Sequence, residues 1–155
     1  MYYGDRDSQY GEGETRGSYN ALKLGNYGEN WNQEAWYYCY KGIYQASVFI
    51  HNVDQNTEMT AEDRIDYKGQ ARFVRAYYYW LLLRRYGPVP IMPDEGVDYT
   101  KSYEEIATAR STYEEVAQYI ATEMEQAAKE IQFTKRDPEN IVRPTKGAAL
   151  ATRAL

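Results

Sequence analysis

The sequence is poor in aliphatic residues and in cysteine. Leu, Ile, Val and Phe make up only 25 of its 155 residues, a level that is typical of disordered chains when the net charge is high. Here the formal net charge is only −5, and 18 Tyr and 3 Trp supply additional apolar surface. We therefore expect a folded protein in which tyrosine builds much of the core or of the surface.

Other absences exclude whole classes of function. The chain has no cluster of Lys or Arg, so we expect no nucleic-acid partner. Its single cysteine, Cys39, permits no internal disulfide and no cysteine-based zinc site. No apolar run reaches the 18 residues that a membrane-spanning helix needs. The first residues, MYYGD, lack the basic and apolar regions of a signal peptide, so we expect none at this position. Because the P-loop, dinucleotide-binding and H-E-x-x-H motifs are also absent, no cofactor and no metal site is predicted.

The first 33 residues differ from the rest. They hold six of the 11 glycines and five tyrosines, but no proline and hardly any aliphatic residue. No period of 2 or 3.6 residues runs through them, which predicts an irregular loop over residues 1–33. Loops of this length inside a compact domain are usually functional or disordered. Disordered segments are poor in aromatic residues, so the tyrosines favour a functional loop.

From Glu34 onward the hydrophobic period is helical. The first predicted helix covers about residues 34–54, with an inward stripe formed by Cys39, Ile43, Ala46, Ile50 and Val53. The second begins after an N-cap at Thr60 and ends at about Tyr86, because Gly87 and Pro88 follow. Its predicted stripe comprises Ile65, Gly69, Phe73, Ala76, Trp80 and Leu83. We therefore expect Trp80 in the core.

Two further helices are predicted in the second half of the chain. Ser111 opens a capping box for the third, whose stripe comprises Val116, Ile120, Met124, Ala127 and Ile131. Thr145 caps the fourth, Lys146–Leu155, and a short helical piece is expected at 102–108. Together the patterns predict an all-α fold in which residues 34–155 form helix pairs of the tetratricopeptide kind.

Several motifs resemble the SusD/RagB family. Residues 69–80 read GQARFVRAYYYW and residues 85–91 read RYGPVPI, which is similar to the family pattern GEARFLRAYYYF followed by YGDVPL. The pattern departs from the family at Gln70, where a Glu is usual, and at Pro88, where an Asp is usual. The flanking helices, including the segment RPTKGAA at 143–149, are also similar. The resemblance covers about residues 34–155.

This resemblance implies a fold, a location and a function. It implies a SusD-like helical scaffold that lies on the outer face of the outer membrane and has no catalytic activity. Such a protein captures oligosaccharides and passes them to a TonB-dependent, SusC-like transporter. Family members are longer and carry a lipidated N-terminal Cys, so we expect this chain to be a part that lacks the anchor and the C-terminal half. The alternatives are a peptide-binding member, a helical-repeat scaffold for protein interactions and an accessory domain of a glycosidase.

The predicted ligand-binding residues lie in the N-terminal loop. A pyranose has an apolar C–H face and a rim of hydroxyls, which aromatic rings and planar polar groups can bind together. Tyr27, Asn30, Trp31 and Asn32 lie within six residues, with Arg16 nearby in the sequence. The resemblance also implies that part of the glycan site lies in this loop. The alternative is that Tyr27 and Trp31 only pack the loop onto the helices.

Charged residues elsewhere are predicted to be structural. We expect Arg72 and Arg75 to bond carbonyls or carboxylates of neighbouring helices, as a forked donor does well. The acidic pairs Glu104–Glu105 and Glu114–Glu115 are typical of first helical turns, and adjacent side chains diverge too far to form a glycosidase pair. His51 is expected to face solvent or to cap a helix.

Overall fold

The computed structural model describes residues 33–95, 100–134 and 137–154. These residues form an all-α fold, and no strand occurs among them. The chain divides into two compact units, Met1–Tyr38 and Cys39–Leu155. The predicted loop lies outside the described residues except for Gln33, which is the first residue of a helix and so does not belong to the loop.

The helices follow the predicted order. They are α1 (Gln33–Asn52), α2 (Ala61–Tyr86), α3 (Tyr103–Ile106), α4 (Tyr113–Glu130) and α5 (Lys146–Arg153), with short 3-10 turns at Val53–Gln55 and Pro138–Asn140. In the second unit α2 packs on α4, and α4 packs on α5. α1 meets α2 where Gly42 lies against the ring of Tyr78. Both α3 and α5 are shorter than predicted, and Leu155 lies outside the described residues.

Most helix ends are fixed by the residues that the sequence indicates. The Thr60 hydroxyl accepts a hydrogen bond from Asp63 N at 3.1 Å, and the Thr145 hydroxyl accepts one from Ala148 N at 3.2 Å. Gly87 ends α2 with φ of 69°, a conformation that glycine adopts without strain. These three predictions are confirmed.

The cap of α4 is one residue later than predicted. Thr112, not Ser111, accepts from Glu115 N at 3.2 Å, while the Glu115 carboxylate accepts from Thr112 N at 2.7 Å. The same sequence spacing is present one residue earlier, so the pattern alone does not choose between them. The backbone N–H of Ser111 instead donates to Val89 O at 3.2 Å, and this tertiary bond sets the register.

The hydrophobic stripes of α1 and α4 are confirmed as core. The predicted stripe residues of the first helix are all at most 7% exposed. Those of α4 are at most 5% exposed, and Met124 and Ala127 are fully buried. Regular 3–4 spacing of apolar residues therefore predicts the buried face well where one face of the helix is apolar and the other polar.

The prediction for α2 is wrong at Trp80. Tyr79 is 0% exposed, whereas Trp80 is half-buried and the Arg84 guanidinium lies 4.7 Å from its ring centroid. Ile65, also predicted as core, is 49% exposed. The reason is that α2 packs against both α1 and α4, so its buried sector turns toward Arg75 and Tyr79. A stripe of apolar residues cannot reveal a core sector that contains an arginine.

Candidate functional site

The five predicted ligand-binding residues lie outside the described residues. They are Arg16, Tyr27, Asn30, Trp31 and Asn32. The structure thus neither brings them together nor separates them, and the assignment stays a prediction. α1 begins directly after this segment, at Gln33.

The first turns of α1 carry a pair of tyrosines. The rings of Tyr37 and Tyr38 meet edge to face, with centroids 5.3 Å apart and an angle of 75° between the planes. Their exposed fractions are 60% and 37%. Each ring offers an apolar face and a hydroxyl, which is the chemistry that a pyranose ring requires. Tyr37 therefore adds exposed aromatic surface close in sequence to the predicted residues.

Sequence reasoning did not select this pair, although a signal for it was present. Cys39, Ile43 and Ala46 define the inward stripe of α1. On a helix of 3.6 residues per turn, position 37 projects away from that stripe. A large aromatic residue on an outward face is a candidate contact surface.

A cluster of charged side chains surrounds Arg75 inside the second unit, Cys39–Leu155, which we call the helical unit. The Arg75 guanidinium is 1% exposed and donates to Glu123 from Nε at 3.2 Å and from Nη2 at 2.6 Å. Nη1 donates to Ser47 Oγ at 3.2 Å and to Asp94 Oδ1 at 2.7 Å. Arg75 thereby connects α1, α2, α4 and the segment after α2.

Arg72 extends the same cluster along the contact of α2 and α4. Its Nη1 donates to Glu123 Oε1 at 2.9 Å, and its Nε donates to Glu130 Oε2 at 3.0 Å. The expectation that Arg72 and Arg75 bond carboxylates of neighbouring helices is thus confirmed. A buried charge is tolerated only when it is paired and hydrogen-bonded, as here. We interpret the cluster as an internal connection between helices.

Tyr119 borders this cluster. Its ring stacks edge to face on Tyr79 with centroids 5.1 Å apart, and Arg75 lies 5.8 Å from its ring centroid. Its buried hydroxyl is, among the described residues, the one buried side-chain polar atom without a hydrogen-bond partner. Burial is the main cause that raises the pKa of this hydroxyl, with Arg75 lowering it and Glu123 raising it further. The group therefore stays protonated at neutral pH.

The other titratable side chains that the structure describes serve helix ends, face solvent or lie in the core. Burial raises the pKa of Cys39 to about 11, so its sulfur is a thiol at pH 7. Glu104–Glu105 and Glu114–Glu115 lie in the first turns of α3 and α4, as predicted. Throughout the described ranges no group of three or more His, Cys, Asp or Glu side chains could hold a metal ion. His51 is exposed, as expected.

Comparison with known proteins gives a consistent family. Residues 6–154 match the SusD-like proteins described as "starch-binding associating with outer membrane". SusD-like protein P25 of Formosa agariphila is 33% identical over 57 residues, which are 37% of this chain and 11% of that protein. A SusD-like protein of Bacteroides fragilis superposes with a TM-score of 0.71 at 21% identity, covering 81% of this chain and 23% of that one.

The name of a second similar solved structure states what that protein binds. Surface glycan-binding protein A from Bacteroides uniformis is 25% identical and superposes with a TM-score of 0.65, covering 78% of this chain and 26% of that one. The chain thus spans about a quarter of the length of these two solved structures. The superpositions confirm the predicted all-α fold of helix pairs.

Proposed function

Because the chain belongs to the SusD-like family, we propose that it takes part in binding glycans at the outer face of the outer membrane. The observation that carries this proposal is the extent of the family match. It runs over residues 6–154 and so includes the segment in which Arg16, Tyr27 and Trp31 lie.

The binding groups are those of the N-terminal segment. Trp31 and Tyr27 provide aromatic faces for the C–H surface of a sugar ring, while Asn30, Asn32 and Arg16 provide donors and acceptors for its hydroxyls. The buried charged side chains around Arg75 are engaged with one another, since Arg75 is paired with Glu123 and Asp94. Loops positioned by a rigid scaffold commonly carry binding residues. The helices are that scaffold.

The protein captures its ligand without transforming it. Among the described residues the acidic pairs serve helix ends, and the buried carboxylate of Glu123 is bound to two arginines. The relative from Bacteroides uniformis is named for glycan binding. Binding without catalysis fits both observations.

The captured oligosaccharide passes to a TonB-dependent, SusC-like transporter in the same membrane. Support comes from the family description, which associates these proteins with the outer membrane. No helix in the described part of the chain is long and apolar enough to cross a membrane. The resemblance to the family implies a lipidated N-terminal Cys, and we propose on that ground that a lipid anchor on the full-length protein holds it at the membrane.

The test is to replace the central aromatic residue of the predicted site. In the full-length protein Trp31→Ala removes the largest aromatic surface, and loss of such an anchor costs about 2 kcal/mol or more. This corresponds to roughly a thirtyfold loss of affinity. We expect oligosaccharide binding on a glycan array or by titration calorimetry to fall by at least that factor, with unchanged helical circular dichroism.

The matched control is Tyr113→Ala, which removes a 61% exposed aromatic residue at the start of α4. We expect this variant to bind glycans as the wild type does. Unchanged affinity of Trp31→Ala would overturn the site. Binding of peptides but of no oligosaccharide by the wild type would overturn the glycan function in favour of the peptide-binding alternative.

A further inference from the structure

The segment after α2, Pro88–Asp94, is held by groups from α1, from α2 and from the residues just before α4. We call it the strap. Within it Pro88 O accepts from Arg110 Nη1 at 3.0 Å, and Val89 O accepts from Ser111 N at 3.2 Å. Three more bonds follow along the strap: Tyr40 Oη to Pro90 O at 2.8 Å, Met92 N to Tyr79 Oη at 2.9 Å, and Arg75 Nη1 to Asp94 Oδ1 at 2.7 Å.

The strap is buried near Val89 and exposed at its other end, at Pro93 and Asp94. Val89 is 0% exposed, and the two tyrosine hydroxyls that hold Pro90 and Met92 belong to residues packed between the helices. Pro93 and Asp94 are exposed, and the Asp94 side chain is 65% exposed. The inner part of the strap is therefore part of the core, and among the described residues one ion pair attaches its outer end.

That ion pair is electrostatically dispensable for the core. Arg75 is already neutralised by Glu123, and Arg72 is neutralised by Glu130. Two cations thus face two carboxylates before Asp94 is counted. If Asp94 leaves, Arg75 keeps Glu123 and Ser47, and water can reach the vacated N–H because Asp94 itself is solvent-exposed. Breaking a buried ion pair is costly when it leaves one charge unpaired in the core. Opening at Asp94 leaves no such charge.

We propose that the Asp94–Arg75 ion pair is a releasable latch for the outer end of the strap, which opens while the helices stay folded. Release frees Pro93 and Asp94 and weakens the bond of Met92 N to Tyr79, the next attachment along the strap. The tyrosine attachments of Pro90 and the burial of Val89 limit how far the opening extends. This inference is independent of the proposed glycan function.

The test is hydrogen exchange of the Met92 amide in the whole chain. Asp94→Asn removes the charge, and we expect the Met92 amide to exchange about tenfold faster, the change that loss of one charge-assisted hydrogen bond produces. The matched control is Glu95→Gln, because Glu95 is the adjacent exposed carboxylate and has no ion pair or hydrogen bond with the described residues. We expect wild-type exchange in that control.

High salt provides a second test of the latch. An ion pair with one exposed member is weakened by screening, so 1 M NaCl should speed Met92 exchange in the wild type and leave Asp94→Asn unchanged. Amides in the middle of α2 and α4 should not respond in either case. Equal Met92 exchange in Asp94→Asn and Glu95→Gln would overturn the latch. Equal acceleration throughout α2 and α4 would also overturn it, since the helices would then be opening with the strap.

Discussion

Arg75 Nη2 lies 2.6 Å from Glu123 Oε2 in the interior of the helical unit, and the Arg75 side chain is 1% exposed. The pair joins α2 to α4. Burying both charges has a desolvation cost that their attraction offsets only with good geometry and further hydrogen bonds. Arg72 and Ser47 supply such bonds within the core.

Breaking this pair from one side should be strongly destabilising. Glu123→Leu leaves two arginines without their shared carboxylate, and we expect a loss of about 3–5 kcal/mol in the free energy of unfolding. The double variant Arg75→Met/Glu123→Leu removes one charge of each sign and should recover much of this loss. Urea denaturation of both variants measures the effect. A double variant as unstable as the single one would contradict our interpretation of the cluster.

The close approach of α2 and α4 at Gly69 gives a second prediction. A Cβ at this position would lie 2.8 Å from both Glu130 Cβ and Ile131 N. Because a backbone atom cannot move aside cheaply, Gly69→Ala should destabilise by about 1–3 kcal/mol, although alanine is the better helix former. Thermal or urea unfolding gives the sign directly.

Gly147→Ala is the control for helix propensity. Gly147 lies in α5, and the nearest atom to its added Cβ is Thr145 Oγ1 at 3.9 Å. Without a collision, the propensity term of up to about 1 kcal/mol remains and should stabilise slightly. Stabilisation by both substitutions would show that the two helices can separate at Gly69 at little cost.

The buried face of α2 yields a third prediction. Tyr79→Ala should cost about 3–5 kcal/mol, the range for truncating a large buried aromatic residue, because Tyr79 is 0% exposed and packs on Tyr40 and Tyr119. Trp80→Ala should cost clearly less, since Trp80 is half-buried and contacts Tyr77 and Arg84 near the surface. Chemical denaturation of the two variants compares them. Equal losses would contradict the assignment of the buried face.

This difference shows what the sequence can and cannot reveal. The stripes of α1 and α4 and the caps at Thr60 and Thr145 were predictable because each depends on residues within one or two turns. The burial of Tyr79 was not predictable, because it depends on Arg75 being neutralised by Glu123, a residue 48 positions away from Arg75. For the site, the motifs of α2 indicated the family. They carry no information on which loop residues contact a ligand.

Removing the hydroxyl of Tyr79 and removing that of Tyr119 should have different effects on the free energy of unfolding. Tyr79 Oη accepts from Met92 N at 2.9 Å, so Tyr79→Phe should cost about 1 kcal/mol. Tyr119 Oη is buried and has no hydrogen-bond partner among the described residues, so Tyr119→Phe should be neutral or stabilising, as it removes an unsatisfied polar group. Urea midpoints of the two variants test this. A loss with Tyr119→Phe as large as with Tyr79→Phe would mean that the Tyr119 hydroxyl is bonded in solution.

Alkaline pH should destabilise the protein through its buried acids. Burial raises the pKa of Cys39 from 9.0 to about 11, and burial is also the main cause that raises the pKa of Tyr79 from 10.0 to about 12. In the unfolded chain each group has its ordinary pKa, so it loses its proton at a lower pH than in the folded protein. The unfolded state then binds fewer protons than the folded state, so the free energy of unfolding falls as pH rises from about 9 to about 12.

Urea unfolding at pH 8, 9, 10 and 11 should show constant stability up to pH 9 and a decline above it. Burial also raises the pKa of Tyr40, Tyr78 and Tyr119, so these hydroxyls add to the decline. Tyr79→Phe removes one contributing group and should make the decline less steep, whereas Tyr113→Phe, at a 61% exposed position, should leave it unchanged. A stability that stays level to pH 11 in the wild type would show that these side chains ionise in the folded protein as readily as in the unfolded chain.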